Sequence, residues 1–411
     1  MRTHIEWQTS FKLCAEDAMN GFFLYSLLLD LSERRGILVL SHDAPSQKDR
    51  LQPALDVRNK ATEGIGQECY PHACDVCFIV YTDDNGVLRK MHPAVCDGDT
   101  IGHPTCNVHD CKVLLTTQHH NFCPLHGHLN SKCAVTICPL KNSPGFRTCE
   151  NPAHRELEKA YYKRGDAIFQ LRLRLKKAGV VVSVDSVPLE MNVRDDEAVI
   201  MESTSQGLVE VITCDGKSES GNQKVQAYFG RRRTHNEQLI MWPCGVILSR
   251  ATFYGSEAVS AVHTFAKATF PTPESTPEFF IFDNNCKLDA HQRSINDTHF
   301  TNTGKPVDTF HFKSKHKLTD THCQRYCNPA AFPELIKNGK WMVNMSICEQ
   351  TNVWFGGYQA IVRDMEVTRY NFFLDEMIKR RNRYIVSELE VKGNSPWVIP
   401  MSAIFPESIK E

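Results

Sequence analysis

The chain has almost no net charge. Its 47 lysine and arginine residues are balanced by 48 aspartate and glutamate residues, which leaves a formal net charge of -1 at pH 7. The overall charge therefore gives no reason to expect a nucleic-acid partner. Any such partner has to be argued from a local group of residues.

Long apolar runs and a secretory leader are also lacking. The longest apolar stretch near the N-terminus, FFLYSLLL at 22–29, is far too short to span a membrane and is followed by Asp30. No basic segment leads into an apolar run with a small-residue cleavage site. We therefore expect an intracellular protein without a membrane partner, in a reducing compartment where clustered cysteines bind metal more often than they form disulfides.

Cysteine, in contrast, is abundant and unevenly distributed. Ten of the 17 cysteines lie between Cys69 and Cys149, and nine of the 18 histidines lie between His72 and His154. A disulfide framework does not require histidine, whereas zinc accepts thiolate sulfur and imidazole nitrogen in one tetrahedral shell. The shared location of the two residue types therefore favours metal sites.

Two consecutive blocks repeat one pattern: a cysteine pair with four residues between, a gap of 11 or 10 residues, and a cysteine followed closely by a histidine. Equivalent positions are offset by 26 to 28 residues, which predicts a tandem unit with two structural zinc shells, each closed by four protein ligands. A cross-braced exchange of the pairs stays open, as do disulfides and a chance repeat. The predicted ligands are Cys106, Cys111, Cys123 and His126 in one shell, and Cys133, Cys138, Cys149 and His154 in the other.

A third cluster lies in CYPHACDVC, where Cys74 and Cys77 have the CxxC spacing of a metal site. Its remaining ligands are ambiguous, and the nearby candidates are Cys69, His72, His92, Cys96, His103 and His109. Further along, FHFKSKHKLTDTHCQRYCNP either forms one more metal site or consists of ordinary core and surface residues; it contains His311, His316, His322, Cys323 and Cys327.

Composition and periodicity predict a mixed α/β fold in two or three domains. In chain order the regions are a helical segment 1–64, the Cys/His cluster 65–154, a helix 155–178, an acidic linker 179–207, and a region 208–405 of strands and helices. Within the last region we expect strands at 208–214, 224–230, 239–255 and 278–283, and a long helix over 358–390.

Acidic residues stand at the predicted strand ends. Asp283 ends the apolar strand EFFIFD and Asp215 follows VEVITC. A third acid should come from a helix, for which Glu349 in SICEQTNVWFGG is the best placed. Two Mg²⁺ ions held by such carboxylates stabilise the attacking and leaving oxygens of phosphoryl transfer. The alternative is that Asp283 caps a turn through its side chain, as Asn284 and Asn285 would.

Two basic runs are candidates for nucleic-acid contact. FGRRRTHNEQ concentrates groups suited to phosphates and base edges, namely Arg231, Arg232, Arg233, His235 and Asn236. KRRNR at 379–383 is the second run. An acidic partner within the chain and plain exposure to solvent are the alternatives.

Longer motifs resemble one known family. GHPTCNVHDC, HHNFCPLHGHLNSKC and FRTCENPAHRELE, followed by FDNNCKLDAH, VDTFHFKSKHK, CNPAAFPEL and EQTNVWFGGYQA, are similar to the fungal cysteine-cluster (CxC-like) proteins associated with KDZ transposases, named for the Kyakuja, Dileera and Zisupton elements. The resemblance covers about residues 15–405. It implies a transposon-derived, zinc-binding protein whose second half resembles an RNase H-like transposase core with a DDE triad.

The resemblance also implies roles for individual residues. Asp283 matches the second acid of such cores, and Glu349 with Trp354 matches the glutamate and its Trp-containing helix. Asp215 matches the first acid only loosely, and Cys348 stands where a glycine is usual.

The resemblance therefore leads us to expect a nuclear protein that binds DNA, with structural zinc at two or more sites, and with Mg²⁺ if the core acts as a nuclease or strand-transfer enzyme. Expected partners are DNA and either a KDZ transposase or a second copy of the chain. The alternatives are a non-enzymatic accessory that binds DNA or protein, and a zinc-dependent protein-interaction module.

Overall fold

The computed structural model describes residues 14–40, 42–44, 46–82, 85–108, 111–135, 138–163, 199–204, 207–210, 225–227 and 229–405. The chain forms two compact units. Met1–Ile101 and Asn236–Glu411 form one, called here the discontinuous unit, and Gly102–His235 form the inserted unit. The inserted unit therefore lies within the sequence of the discontinuous unit, whereas the regions predicted from composition follow one another along the chain.

Helices and strands are numbered along the whole chain. The helices are α1 (Ala15–Glu33), α2 (Gln47–Thr62), α3 (152–163), α4 (Val259–Thr269), α5 (Asn285–Ser294), α6 (Thr309–Lys315), α7 (Thr321–Tyr326), α8 (Ile347–Gly356), α9 (Gln359–Val362), α10 (Val367–Val391) and α11 (Met401–Ile404). A 3₁₀ helix spans Pro124–Ser131. The long helix predicted over 358–390 is thus divided into α9 and α10.

The strands are mostly short. They are β1 (His72–Ala73), β2 (Ile79–Thr82), β3 (Leu88–Met91), β4 (Ala94–Asp99), β5 (Pro104–Thr105), β6 (Val199–Thr204), β7 (Gly207–Glu210), β8 (Val225–Ala227), β9 (Arg232–Arg233), β10 (Asn236–Met241), β11 (Ile247–Phe253), β12 (Phe280–Phe282), β13 (Ile336–Lys337), β14 (Lys340–Trp341) and β15 (Trp397–Val398). The run predicted as a strand over 239–255 is a hairpin of β10 and β11.

A four-stranded sheet forms the centre of the discontinuous unit, in the order β11-β10-β4-β12. β10 pairs antiparallel with both β11 and β4, whereas β12 lies parallel to β4. The sequence of β12 is Phe-Ile-Phe, and all three residues are buried, as is typical of a strand covered on both faces. The parallel register pairs Val95 with Ile281 and Cys96 with Phe282.

Alternating side chains of the sheet enter two separate apolar cores. Leu239 and Met241 of β10 join Ile281 in a core with residues of α1, α2, α8 and α10, while Ile240 joins Phe282 in a core with residues of α4 and α5. Successive side chains of a strand point to opposite faces, so helices cover the sheet on both sides. The predicted mixed α/β class is confirmed at this level.

A buried ion-pair network joins α10 to the sheet. Arg250 of β11 contacts Asp375 of α10 through two hydrogen bonds of 3.0 Å, and its Nη1 also contacts Glu237 of β10. Tyr370 and Thr252 donate their hydroxyls to the Glu237 carboxylate at 2.8 and 3.0 Å. Each charge is thereby paired and hydrogen-bonded, which is the condition under which buried ions are tolerated.

The described residues of the inserted unit include a small apolar cluster. It consists of Cys133, Val135, Cys149, Leu157, Ala227 and Phe229. β5 pairs with β9, and β6 pairs with both β7 and β8. β6 falls inside the segment predicted as a linker over 179–207; residues 179–198 of that segment and 164–178 of the predicted helix lie outside the described residues.

Membrane-spanning helices were searched for over the described ranges. None of the helices there is long and apolar enough to cross a membrane.

Replacing Arg250 with methionine tests the buried network. The change leaves Asp375 and Glu237 buried without a cation, so we expect the free energy of unfolding in urea to fall by about 3–5 kcal/mol. Lys392→Ala, which removes an exposed ion pair with Glu388, should cost about 0.5 kcal/mol or less. Equal, small losses in the two variants would contradict this account.

Candidate metal centres and acid pocket

Each repeated Cys/His block brings its four predicted ligands together. In both groups the ligand atoms all lie within 4.8 Å of one another. There is no exchange between the blocks: one group is Cys106, Cys111, Cys123 and His126, and the other is Cys133, Cys138, Cys149 and His154.

The two groups also share one internal geometry. In both, the sulfurs of the second and third cysteines are 3.8 Å apart, and the third sulfur is 3.3 Å from the histidine Nδ1. A tetrahedral zinc ion, with bonds of about 2.3 Å to sulfur and about 2.0 Å to nitrogen, requires ligand spacings of roughly 3.5–3.8 Å. The sulfurs are too far apart for a disulfide bond of about 2.0 Å. Each group could therefore hold a zinc ion.

Helix α3 supports the loop that carries the second group. Glu158 of α3 accepts hydrogen bonds from the backbone N–H groups of Arg147 at 2.9 Å and Thr148 at 3.1 Å. The next residue, Cys149, donates its own N–H to the sulfur of Cys133 at 3.4 Å. An amide that points at a sulfur stabilises the thiolate that a metal ion requires.

The third group is completed by a residue far away in the sequence. Cys74 and Cys77 lie with His72 and Cys244 within 4.8 Å, and Cys244 comes from the turn between β10 and β11. The sulfurs of Cys74 and Cys77 are 3.6 Å apart. Hydrogen bonds from the thiols of Cys244 and Cys77 lower the pKa of Cys74, whereas contacts with Cys244 and Cys74 raise the pKa of Cys77, so the group favours one thiolate until a cation binds.

Histidine 72 gives a further indication that this third group fits a metal. Its Nε2 is buried and has no hydrogen-bond partner among the described residues. A buried polar atom without a partner is costly, and coordination to a metal ion would remove that cost.

Two acids lie beside each other where the parallel strands β4 and β12 pair. Cys96 is the register partner of Phe282, and the residues that follow on the two strands are Asp97 and Asp283. Both acids line one small pocket, together with Glu349 of α8. Three carboxylates from two strands and one helix therefore face one space.

Helix α8 lies along β4 and is attached to it by side chains. Cys348 donates its thiol to the carbonyl oxygen of Val95 at 3.3 Å, and Asn352 donates its Nδ2 to Oδ2 of Asp97 at 2.9 Å. These contacts flank Glu349, whose side chain is 34% exposed and so remains accessible from solvent.

His311 lies between two acids of the same pocket. Its Nδ1 is 2.5 Å from Oδ2 of Asp308 and 3.1 Å from Oε1 of Glu349. Asp308 also caps α6, because its Oδ1 accepts the N–H groups of Phe310 and His311. Asp308, His311 and Glu349 form a further group whose ligand atoms lie within 4.8 Å of one another.

Burial and mutual repulsion make the acids of this pocket weaker. Burial raises the pKa of Asp97 to about 8, and the nearby charges of Asp283, Glu257 and Glu349 add to the rise. Burial also raises the pKa of Glu349, with further contributions from the charges of Asp308 and Asp283. Carboxylates confined in this way favour a bound cation, because a cation offsets both the burial and the repulsion.

Of the trio expected from the sequence, Asp283 and Glu349 line the pocket, and Asp215 lies outside the described residues. Asp97, which the sequence analysis did not single out, follows the register partner of Phe282 and so lies next to Asp283. A signal for Asp97 is present in the sequence PAVCDGD, where an apolar run ends in an acid as it does in EFFIFD. Cys244 is a single cysteine in a turn, and the sequence around it contains no comparable signal.

The arginine run is partly occupied by contacts within the chain. Arg231 and Arg233 each donate from Nη1 to a backbone carbonyl, at 3.1 and 3.3 Å. The guanidinium of Arg232 has no hydrogen-bond partner within the described part of the chain, and His235 is partly exposed. Arg232 therefore offers the most available charge of the run.

Asn236 is buried, and Lys379, Arg380 and Arg383 of the second basic run contact acids of the same unit. Asn236 is 3% exposed and donates to Oε1 of Gln238 at 2.8 Å. Within 379–383, Lys379 contacts Asp30 at 3.1 Å. The second basic run, 379–383, therefore has an acidic partner within the chain, which was one of the two alternatives to nucleic-acid contact.

Replacing Cys244 with serine tests the third metal group. We expect bound zinc to fall by one ion per chain, because serine is a poor ligand for zinc beside thiolates. Cys14→Ser, which changes an exposed cysteine outside every group, should leave the metal content unchanged. Metal analysis of the purified variants decides the matter, and an unchanged count in Cys244→Ser would contradict the assignment.

Comparison with known protein families gives a match in the cysteine-rich part of the chain. Searches of curated proteins and of solved structures each found no match. The family model that matches is the CxC6 like cysteine cluster associated with KDZ transposases, over residues 95–160. The resemblance to cysteine clusters associated with KDZ transposases is therefore confirmed for residues 95–160, a stretch that contains both repeated ligand groups and Asp97.

Proposed function

We propose that the discontinuous unit is an RNase H-like core of a transposon-derived, nuclear protein, in which Asp97, Asp283 and Glu349 form a DDE-type site for cutting or joining DNA. One observation carries the proposal: the parallel pairing of β4 with β12 sets Asp97 beside Asp283, with Glu349 in the same pocket. The matched cysteine cluster, associated with KDZ transposases, supports the same conclusion.

The strand order supports an RNase H-like core. In that fold three antiparallel strands form a meander, and a fourth strand pairs parallel to the first strand on its free side. Here β4, β10 and β11 form the meander and β12 is the parallel fourth strand. The inserted unit then interrupts the chain between the first and second strands, and α8 supplies the third acid.

The acids give the pocket its chemistry. Mg²⁺ held by these carboxylates would stabilise the attacking and leaving oxygens of a phosphodiester. Asn352 occupies one oxygen of Asp97 at 2.9 Å and so orients the other toward the pocket. His311 holds Glu349 in the same way at 3.1 Å. Both contacts reduce the motion of the acids before a substrate arrives.

Asp97 takes the role of first acid in this proposal. It belongs to β4 and lies opposite the end of β12, which is where the fold requires the first acid. Asp215 stays the alternative from the sequence, and its substitution provides a direct comparison.

We propose zinc as the ion of the three Cys/His groups, with a structural role. Each group has four protein ligands, and a closed tetrahedral set has no position for a substrate. In the inserted unit, where the apolar cluster is small, metal binding would supply much of the folding free energy.

A non-catalytic accessory to a KDZ transposase, binding DNA or protein, is the second candidate. It is favoured by the contact of His311 with both Asp308 and Glu349, since Glu349 then has an imidazole partner at 3.1 Å without any bound cation.

A nicking assay on supercoiled DNA with Mg²⁺ or Mn²⁺ tests the catalytic proposal. We expect wild-type activity to fall about a hundredfold or more in Asp97→Asn, Asp283→Asn and Glu349→Gln, because each change removes charge that stabilises the transition state. Asp215→Asn should retain activity. If Asp215→Asn lost nicking activity while Asp97→Asn kept it, the assignment of Asp97 as the first acid would be wrong. If no protein, the wild type included, nicked DNA with either metal, the non-catalytic accessory would be favoured.

DNA binding is tested separately by salt-dependent affinity for a duplex. We expect Arg232→Ala to weaken binding and to reduce the salt slope by about one, as expected for the loss of one phosphate contact. Asp283→Asn should bind as tightly as the wild type or more tightly, because it removes a negative charge. Unchanged binding in Arg232→Ala would contradict a role for the arginine run.

A further inference from the structure

A fourth group of soft ligands contacts Asp283, a residue of the acid pocket. The ligand atoms of Cys286, His316 and Cys323 are all within 4.8 Å of one another. Nδ1 of His316 is 3.2 Å from the sulfur of Cys323 and 3.7 Å from that of Cys286. These distances bracket the value of roughly 3.5 Å between sulfur and nitrogen around a tetrahedral zinc ion.

Three separate segments converge to form this group. Cys286 lies in the first turn of α5, Cys323 lies in the first turn of α7, and His316 ends α6 as its C-cap. Both cysteines are buried, at 8% and 0% exposure. The three ligands therefore come from segments that only the fold brings together.

The orientation of the His316 ring points to metal binding as well. Its Nε2 lies 2.9 Å from the carbonyl oxygen of Asp283, which can only accept a hydrogen bond. The proton therefore resides on Nε2, and the lone pair of a neutral ring resides on Nδ1, facing the two sulfurs. A metal-binding histidine characteristically donates its other N–H to a backbone carbonyl in this way.

We propose that Cys286, His316 and Cys323 bind a zinc ion. Two thiolates and an imidazole favour zinc over hard cations such as Mg²⁺. Cys327 is buried in the same apolar cluster but is not part of the ligand group, so the fourth coordination position falls to an exchangeable ligand such as water.

The ion would also support the strand end at Asp283. His316 connects the metal to the backbone of Asp283, and Cys286 follows that residue by less than one helical turn. The proposal that a metal ion binds here depends only on the three ligands. The importance of that ion for Asp283 as a catalytic acid rests on the proposed function.

Metal counting by native mass spectrometry, after equilibration with zinc and removal of unbound ions, tests the site. We expect four zinc ions in the wild-type chain and one fewer in Cys286→Ser and in Cys323→Ser. Cys327→Ser, a buried cysteine in the same cluster, should keep the wild-type count. His316→Gln, at a partly exposed position, repeats the test if a cysteine variant does not fold.

Two results would overturn the proposal: a metal count that the ligand variants leave unchanged, or the same loss of one ion in Cys327→Ser as in those variants. Cobalt provides a second readout, because removing Cys323 from a cobalt-loaded protein should reduce the sulfur-to-cobalt absorption. Neither measurement depends on nicking, so a protein that binds this ion but does not nick DNA would disprove the catalytic proposal alone.

Discussion

The parallel pairing of β4 with β12 is the constraint on which the candidate site depends. It sets Asp97 beside Asp283 in a sheet that helices cover on both faces, so two half-buried carboxylates lie close together. Burial and repulsion raise the pKa of Asp97 to about 8, and a divalent cation is the natural means of offsetting both effects. The buried network around Arg250 holds α10 against the same sheet and thereby keeps this arrangement rigid.

The ligand chemistry of the chain is divided into two kinds. Sulfur and imidazole form the tetrahedral groups, whereas oxygen ligands line the pocket at the ends of β4 and β12. Soft and hard ligand sets select different ions, so structural zinc and a catalytic cation would not compete for the same positions. In the inserted unit, where the apolar cluster of the described residues is small, metal binding would take over part of the stabilising role of hydrophobic burial.

The sequence predicted those features that are local. The repeated ligand sets follow from short spacings, and α1 and α2 fall within the segment 1–64 that is predicted to be helical. Asp283 was recognisable as an acid at the end of an apolar run. Asp97 was missed because its strand lies in a cysteine-rich segment and its parallel partner follows only after the entire inserted unit. Cys244 was missed for the same reason, since pairing across such distances leaves no periodic trace in the sequence.

The central claim is that Asp97 and Asp283 share a divalent cation. A crystal structure of the protein grown with Mn²⁺, with data collected to reveal the anomalous signal of manganese, tests this claim most directly. The account predicts a manganese peak between the carboxylates of Asp97 and Asp283, within bonding distance of both. Ordered carboxylates with no manganese between them, or a peak coordinated by Asp215 in place of Asp97, would contradict it.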